Sequence, residues 1–470
     1  MIAAPLERIG EDALADFVSR GRWFGAKTRE VTGVRVLAAP VLREGSPGLV
    51  LALVEVRFET GSHELYQLPL GMRSAGEWDE GVVGEADGTV VYDALLDAGL
   101  VSELVRLMRE GAAIEDEDED AHIELSAVDG AELLAGPWPI RPMGVEQSNT
   151  SVVLGEELVL KAYRRLEAGV NPELELLRFL TERGFPNVPV LAGWYAYSGR
   201  LMDATLGILQ RYVPAEQDGW GFALESLAED PERFLAEARR LGEVTGQMHA
   251  TLASDSSDPA FAPEEPSAES LGLLTATIDE EIAEAFASLP ELGALEPIAG
   301  RGEEVREGLR LVSHAGPLGR AIRHHGDYHL GQVLWTGSDW IVIDFEGEPA
   351  RPLPERRRKR SALRDVAGML RSFAYVATAS ELRRGAAVPE DWEERAREEF
   401  LGGYLPVVEP LGLLPAGRAQ TARLLAVFEL EKAVYELRYE LDHRPEWVSI
   451  PVAGIVRLLE SDELSAPVRP

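Results

Sequence analysis

The stretch "HHGDYHLGQVLWTGSDWIVIDFEGEP", residues 324–349, decides how this chain is read. Two short apolar runs, QVLW and WIVIDF, flank TGSD, whose residue types favour a turn, so the segment predicts a tight β-hairpin. Such a hairpin brings the residue before its first strand near the residue that closes its second. Asp327 and Gln332 precede the first run and Asp344 ends the second, so the three converge on one small volume. A carboxylate and an amide oxygen facing a second carboxylate make a hard oxygen site of the kind Mg2+ accepts beside phosphates. Asp327 is then left to take a proton from an alcohol.

The bulk composition narrows what surrounds this site. A chain of 470 residues exceeds one ordinary core and predicts two or three domains. Its 45% hydrophobic and 27% charged residues are those of a globular protein. No basic-then-apolar leader is present, and the longest apolar run, GLVLALVEV at 48–56, has the size of a buried strand, so no membrane role is expected. Cysteine is absent, which excludes disulfide and thiol chemistry and fits a cytoplasmic enzyme. A formal charge of −35 argues against nucleic-acid contact, so an anionic substrate must be held by local donors or by a metal ion. Lysine is rare: Lys27, Lys161, Lys359 and Lys432 are the only four among 46 basic residues. A position that stays lysine against that bias points to a need for a compact point charge rather than a planar fork.

Along the chain, residues 1–90 form a first region, in which the helix EDALADFVSR precedes the alternating strands VTGVRVLAAPVL, GLVLALVEVRFE and SHELYQLPLGM. Residues 91–213 follow as an intermediate region and a small sheet-plus-helix lobe. Six consecutive acids, Glu115 to Asp120, repel one another and are expected in an exposed linker. RPMGVEQSNTSVVLGEELVLKAYRRL alternates like two strands joined by a turn at Gly155-Glu156. NPELELLRFLTERG then carries helix-start chemistry, with Asn171 as N-cap, Pro172 at the first helical position and Gly184 as a stop. From 214 to 470 the pattern is mainly helical, apart from the opening stretch. FGAKT at 24–28 lacks the small residues of a phosphate-binding loop, and RRRKR at 356–360 is expected to pair with the molecule's own carboxylates.

The order of these parts resembles phosphoryl transfer of the kinase type, with HGD for the catalytic-loop acid, Gln332 where most relatives have asparagine, and DFE after the hairpin. The resemblance implies an α+β, bilobal protein-kinase-like fold with an additional N-terminal α/β cap and a mainly helical C-lobe. It places Lys161 at the α- and β-phosphates of ATP, with Gln147, Ser148, Asn149, Thr150 and Ser151 as phosphate donors. Glu173 and Glu175 are both candidates to pair with Lys161, with Glu175 preferred. Gln210 and Tyr212 lie in the segment expected to meet adenine, Asp365 is expected to steady the catalytic loop, and His325 is expected to brace that loop or touch the reactants.

Longer stretches, among them RWFGAK, HGDYHLGQVL, DFEGEPARPLPERRRKRSALRDVAGMLRS and EKAVYELRYELDHRPEWVSIP, resemble actinobacterial maltokinases across essentially the whole chain. That family is also found fused to trehalose synthase, an implied partner. The resemblance implies ATP and Mg2+ as cofactors and transfer to the anomeric hydroxyl of maltose, giving maltose 1-phosphate for α-glucan synthesis. FELEKAVYELRYELDHRPEW predicts a helix placing Glu431, Tyr435 and Tyr439 along one face, and with Arg444 and Trp447 these are acceptor-site candidates. Glucosamine kinase shares the scaffold and stands as the alternative. A non-catalytic module docking trehalose synthase and an antibiotic-modifying kinase are the remaining ones.

Overall fold

A computed structural model of the chain describes residues 6, 8–115, 121–131, 133, 136–144, 148–313, 318–384 and 388–461. Gln147 and most of the acidic run lie outside the described residues. Contacts divide the chain into two units, Met1–Arg178 with Pro189–Pro214, and Phe179–Val188 with Ala215–Pro470.

The first unit holds helix α1 (Glu11–Arg20) and an antiparallel sheet of β1 (Val31–Ala38), β2 (Val41–Arg43), β3 (Gly48–Phe58), β4 (His63–Ser74), β5 (Val82–Ala86) and β6 (Thr89–Asp93). Its interior strand β3 is apolar at nearly every position because both faces are covered. Val50, Ala52, Val54 and Val56 pack with Leu14, Val18, Trp23 and Phe24. Leu49, Leu51 and Leu53 join Leu100, Leu104 and Met108 of α2 (Ala98–Glu110). That second core continues into Val152, Leu154, Leu158 and Leu160, so the N-terminal sheet and the one that follows share a single apolar interior.

The second sheet runs in the order β7 (Ala113–Glu115), β8 (His122–Ala127), β13, β14, β11, β10, β9 (Ile140–Pro142). Here β10 is Asn149–Leu154, β11 is Leu158–Tyr163, β13 is Leu191–Ser198 and β14 is Asp203–Arg211. The expected β10–β11 turn is present, with Gly155 and Glu156 both at φ 58°, the left-handed geometry that suits a tight hairpin. Directly after β11 the chain adds β12 (Arg165–Leu166) to β4 of the first sheet. Between them, the buried Arg164 donates to Thr150 Oγ1 at 2.8 Å and to Asp93 Oδ2 at 2.5 Å. Helix α3 (Pro172–Glu182) starts as expected, with Asn171 Oδ1 accepting from Glu173 N at 2.8 Å, and ends at Gly184, where φ is 64°.

The second unit contains β15 (Gln217–Asp218), α4 (Gly219–Glu229), α5 (Pro231–Leu252), α6 (Ala268–Ala287), α7 (Gly302–Ser313) and the hairpin β16 (Val333–Trp335) and β17 (Trp340–Val342). It continues through α8 (Leu353–Arg356), α9 (Leu363–Arg384), α10 (Trp392–Val408), α11 (Arg418–His443) and α12 (Ser449–Glu460). Helices α5 and α10 touch backbone to backbone: a Cβ on Gly242 would fall 2.0 Å from Phe400 O, and one on Gly403 2.0 Å from Arg239 O. Helices α9 and α11 are joined by buried polar rungs, Arg364–Glu431 at 2.8 Å, Arg371–Glu436 at 2.7 Å and Tyr375–Glu440 at 3.0 Å. Breaking one such rung leaves an uncompensated charge in the interior, which fixes the register of the two helices. Among the described residues no helix is long and apolar enough to cross a membrane.

Candidate active site

The opening stretch folds as the hairpin its turn residues predict. Val333 pairs with Val342 and Trp335 with Trp340, and Thr336 N donates to Asp339 O at 3.1 Å to close the turn. Ile343 N donates to Gln332 O at 3.0 Å, which sets Asp344 beside Gln332. Gln332 Nε2 donates to Asp344 Oδ2 at 3.1 Å, so the amide oxygen is left to face a cation together with the carboxylate. Asp344 itself has φ 63°, a left-handed backbone uncommon outside glycine.

The loop that carries Asp327 is held from below by Asp365 on α9. Its carboxylate accepts from His325 N at 2.8 Å, from Gly326 N at 2.9 Å and from His249 Nε2 at 3.0 Å. Burial pushes the Asp365 carboxyl up, but His324 and the hydrogen bond from His249 outweigh it and hold the group well below the usual carboxylate range. His249 is completed by Tyr404 Oη at 3.0 Å from Nδ1. The sequence reading names Asp365 for this part but misses His249, which lies in an ordinary helical pattern 116 residues upstream.

His325 is a brace. Its Nε2 donates to Ile343 O at 2.9 Å, its Nδ1 accepts from Asp327 N at 3.3 Å, and its ring packs on Phe345 and Tyr328. With both nitrogens engaged and the ring buried, it is not offered to reactants, which corrects its place among the substrate-binding candidates. His324 is also buried, and desolvation pushes its pKa down to about 3, so it is neutral at working pH.

Two groups face Asp327 that the sequence reading does not single out. Lys432 Nζ on α11 lies 3.6 Å from Oδ1, and His329 Nε2 lies 3.9 Å from Oδ2. Burial opposes the charge on Lys432, but Asp327, Glu348 and Glu436 outweigh it and raise its pKa, so it remains an ammonium. Burial lowers the pKa of His329, whose Nδ1 accepts from Gly331 N at 3.0 Å; the ring is within electrostatic reach of both Asp327 and Asp344. The rarity of lysine is the signal that marks Lys432: with Lys161 it is one of two lysines here tied to a candidate site carboxylate.

Asp327 opens into a cleft of the second unit that is partly open to solvent. Tyr435, Glu431 and Lys432 of α11 line it, as do Arg351, Arg360 and Arg364. Glu431 is already held by Arg364 at 2.8 Å. The other acceptor-site candidates fall elsewhere. Tyr439 is exposed and stacks on His443 with ring centroids 4.4 Å apart, and Arg444 pairs with Glu440 at 2.6 Å. Trp447 is buried against Tyr375, Ala374 and Ile450. Helical spacing puts Tyr435 and Tyr439 on one face, but the cleft ends at the first of them, and Trp447 closes a core instead.

In the first unit, Lys161 Nζ pairs with Glu173 Oε2 at 2.8 Å, and Tyr163 Oη donates to the same oxygen at 2.8 Å. The partner is therefore Glu173 and not the preferred Glu175. Two residues are about 200° apart around a helix, so only one can face the strand, and Glu173 is the buried one. Asn149, Thr150 and Ser151 belong to β10 and not to the preceding connection, with Thr150 bound to Arg164 and Ser151 opposite Lys161. Ser148 is exposed just before the strand. Gln210, next to last in β14, has a buried Oε1 that makes no hydrogen bond among the described residues, and Tyr212 N donates to Glu157 O at 2.9 Å. In the basic run, Lys359 pairs with the Glu264 carboxylate at 2.6 Å, as expected, whereas Arg356 donates to the backbone carbonyl of Glu346 at 3.0 Å.

A hairpin with an amide and a carboxylate at its open end, a braced aspartate beside a cleft, and a buried lysine–glutamate pair define the class of a phosphotransferase with an alcohol acceptor. The comparisons agree. The model described as maltokinase N-terminal cap domain matches residues 17–97, and that described as phosphotransferase enzyme family matches residues 139–347. A glucosamine kinase of Mycolicibacterium smegmatis is 30% identical over 68% of this chain and 79% of its own. A glucosamine kinase of Streptacidiphilus jiangxiensis is 29% identical over 82% of this chain and 86% of its own. The solved structure of a glucosamine kinase in complex with glucosamine, ADP and inorganic phosphate shares the fold, with a TM-score of 0.71 and 24% identity over 94% of this chain and 98% of that one. The chain belongs to the phosphotransferase enzyme family and carries its maltokinase-type N-terminal cap. It is a kinase.

Proposed function

We propose that this protein is an ATP-dependent sugar kinase that transfers the γ-phosphate of ATP to the anomeric hydroxyl of maltose, giving maltose 1-phosphate for α-glucan synthesis. The observation that carries a neutral sugar is the state of the cleft's acids. Glu431 is paired with Arg364, Glu348 with Arg351, and Asp327 with Lys432. Glu281 has its pKa raised by burial and by Glu431. Carboxylates so committed offer hydroxyl groups hydrogen bonds without presenting a free negative charge to an ammonium.

In this reading Asp327 orients the acceptor hydroxyl and takes its proton, while Lys432 holds that carboxylate in place. Gln332 Oε1 and Asp344 would hold Mg2+, a fit supported by the hard oxygen pair they form; when bound, the ion neutralises phosphate charge. Lys161, fixed by Glu173, offsets charge on the α- and β-phosphates. The unpartnered Oε1 of Gln210 fits a donor from a nucleotide base. Catalysis is then positioning and electrostatics. Trehalose synthase is proposed as a partner and the cytoplasm as the location on family resemblance.

The names of the two relatives favour glucosamine as the second reading. ADP release by the full chain with Mg-ATP and maltose, glucosamine, glucose or kanamycin separates the two. Maltose alone, or maltose well above the others, is the expected result; turnover confined to glucosamine would replace it.

A further inference from the structure

One cationic side chain in the cleft, that of Arg360, makes no ion pair of its own among the described residues. Arg360 is anchored by its backbone, donating to Ile322 O and accepting from Ile322 N, both at 2.9 Å, five residues before Asp327 is reached along the chain from Ile322. Its guanidinium lines the same cleft as Asp327, yet no side chain of the described residues forms a hydrogen bond or ion pair with it. The nearby acids are already occupied: Glu431 by Arg364 at 2.8 Å and Glu355 by Arg351 at 3.8 Å. Burial, with Arg364 and Arg351 acting as like charges, pushes the pKa of Arg360 down to about 10 against the smaller opposing pull of Glu431 and Glu355. In a chain with a formal charge of −35, a guanidinium beside two others, on an anchored backbone and without an ion pair of its own, is suited to receive an anion.

We infer that Arg360 forms an anion-binding corner of the acceptor cleft, which takes the carboxylate or phosphate substituent of a sugar and repels an ammonium group. The inference rests on reading this cleft as the acceptor site. The anionic sugar can enter as an acceptor or stay as a phosphorylated product; the chemistry that recognises it is the same, a planar guanidinium donating two parallel hydrogen bonds to two oxygens.

The test is isothermal titration of the full chain, without nucleotide, by glucose, glucuronate and glucose 6-phosphate. At least one of the two anionic sugars should bind about tenfold or more tighter than glucose. Arg360→Gln should remove that advantage and leave glucose unchanged, while Arg360→Lys restores part of it. A gain for glucose 6-phosphate alone assigns the corner to phosphate, and a gain for both assigns it to either anion. ADP release with the anionic sugar then identifies an acceptor, and competitive inhibition against maltose identifies a retained product. Equal affinity for all three sugars in the unmodified protein, or a loss in Arg360→Gln that glucose shares, overturns the inference. Binding is read here without ATP, so a failure of phosphoryl transfer to every sugar would sink the kinase acceptor reading and leave this result standing.

Discussion

Lys432 Nζ lies 3.6 Å from Asp327 Oδ1, an ammonium on α11 set against the carboxylate at the tip of the catalytic loop. The pair ties the helix that lines the cleft to the carboxylate proposed to take the acceptor proton. Lys432 also lies 5.0 Å from the centre of the Tyr435 ring, so one cation orders both an acid and an aromatic face. Replacing it by methionine keeps the stem and removes the charge. Lys432→Met should lower kcat about 10- to 100-fold, the scale of losing one charged partner in a desolvated site. Unaltered kcat with a raised acceptor KM would move Lys432 from holding Asp327 to merely lining the cleft.

The lysine–glutamate pair of the first unit makes a sharper comparison. Glu173 carries both Lys161 and Tyr163 on one carboxylate oxygen. Glu173→Gln should raise KM for ATP about tenfold and lower the melting temperature, because a buried ammonium loses its partner. Glu175→Gln should leave KM for ATP unchanged. Equal effects from the two substitutions would contradict the assignment.

Trp447 and Tyr435 are both acceptor-site candidates in the sequence, and the structure separates them. Trp447→Ala opens a core and should cost about 3–5 kcal/mol of stability in denaturant unfolding, without changing KM for the acceptor in the surviving folded fraction. Tyr435→Ala, on the half-open cleft wall, should do the reverse: a severalfold higher acceptor KM with stability nearly kept.

The buried His324 gives a pH signature. Its pKa is pushed down to about 3 in the folded chain, against about 6.5 when unfolded. As pH falls below about 6.5 the unfolded chain takes up this proton and the native chain does not, so stability falls with acid. The slope contributed is about 1.4 kcal/mol per pH unit between roughly pH 6 and 4. His324→Gln should make the stability–pH curve shallower by one proton over that window, measured by chemical denaturation. A mutant curve parallel to that of the parent would mean that His324 is protonated in the folded protein.

Much of this architecture is legible in the sequence. The hairpin at 333–342, the turn at Gly155-Glu156 and the Asn171 cap each follow from local turn and cap chemistry, which acts over a few residues and survives in any context. The run GLVLALVEV is also read correctly as a buried strand, because apolar residues at consecutive positions require two covered faces. What escaped the sequence is set over longer range. Whether Glu173 or Glu175 meets Lys161 depends on the rotation of α3 against β11, which no spacing encodes. His249 and Lys432 reach the catalytic loop from helices 116 and 105 residues away from their partners, so only packing reveals them. Trp447 and Arg444 were misplaced for the opposite reason. They follow a helix whose acids form rungs to α9, and its last turn runs beyond the cleft.

The central claim is that Asp327 serves the acceptor and not the nucleotide. Asp327→Asn keeps the shape and the hydrogen bond from Asp327 N to His325 while removing the proton acceptor. Single-turnover phosphoryl transfer from Mg-ATP to maltose should fall about a thousandfold or more, with the dissociation constant for ATP within about twofold of the parent. Transfer at near-parental rate, or a loss explained entirely by weaker ATP binding, would contradict it.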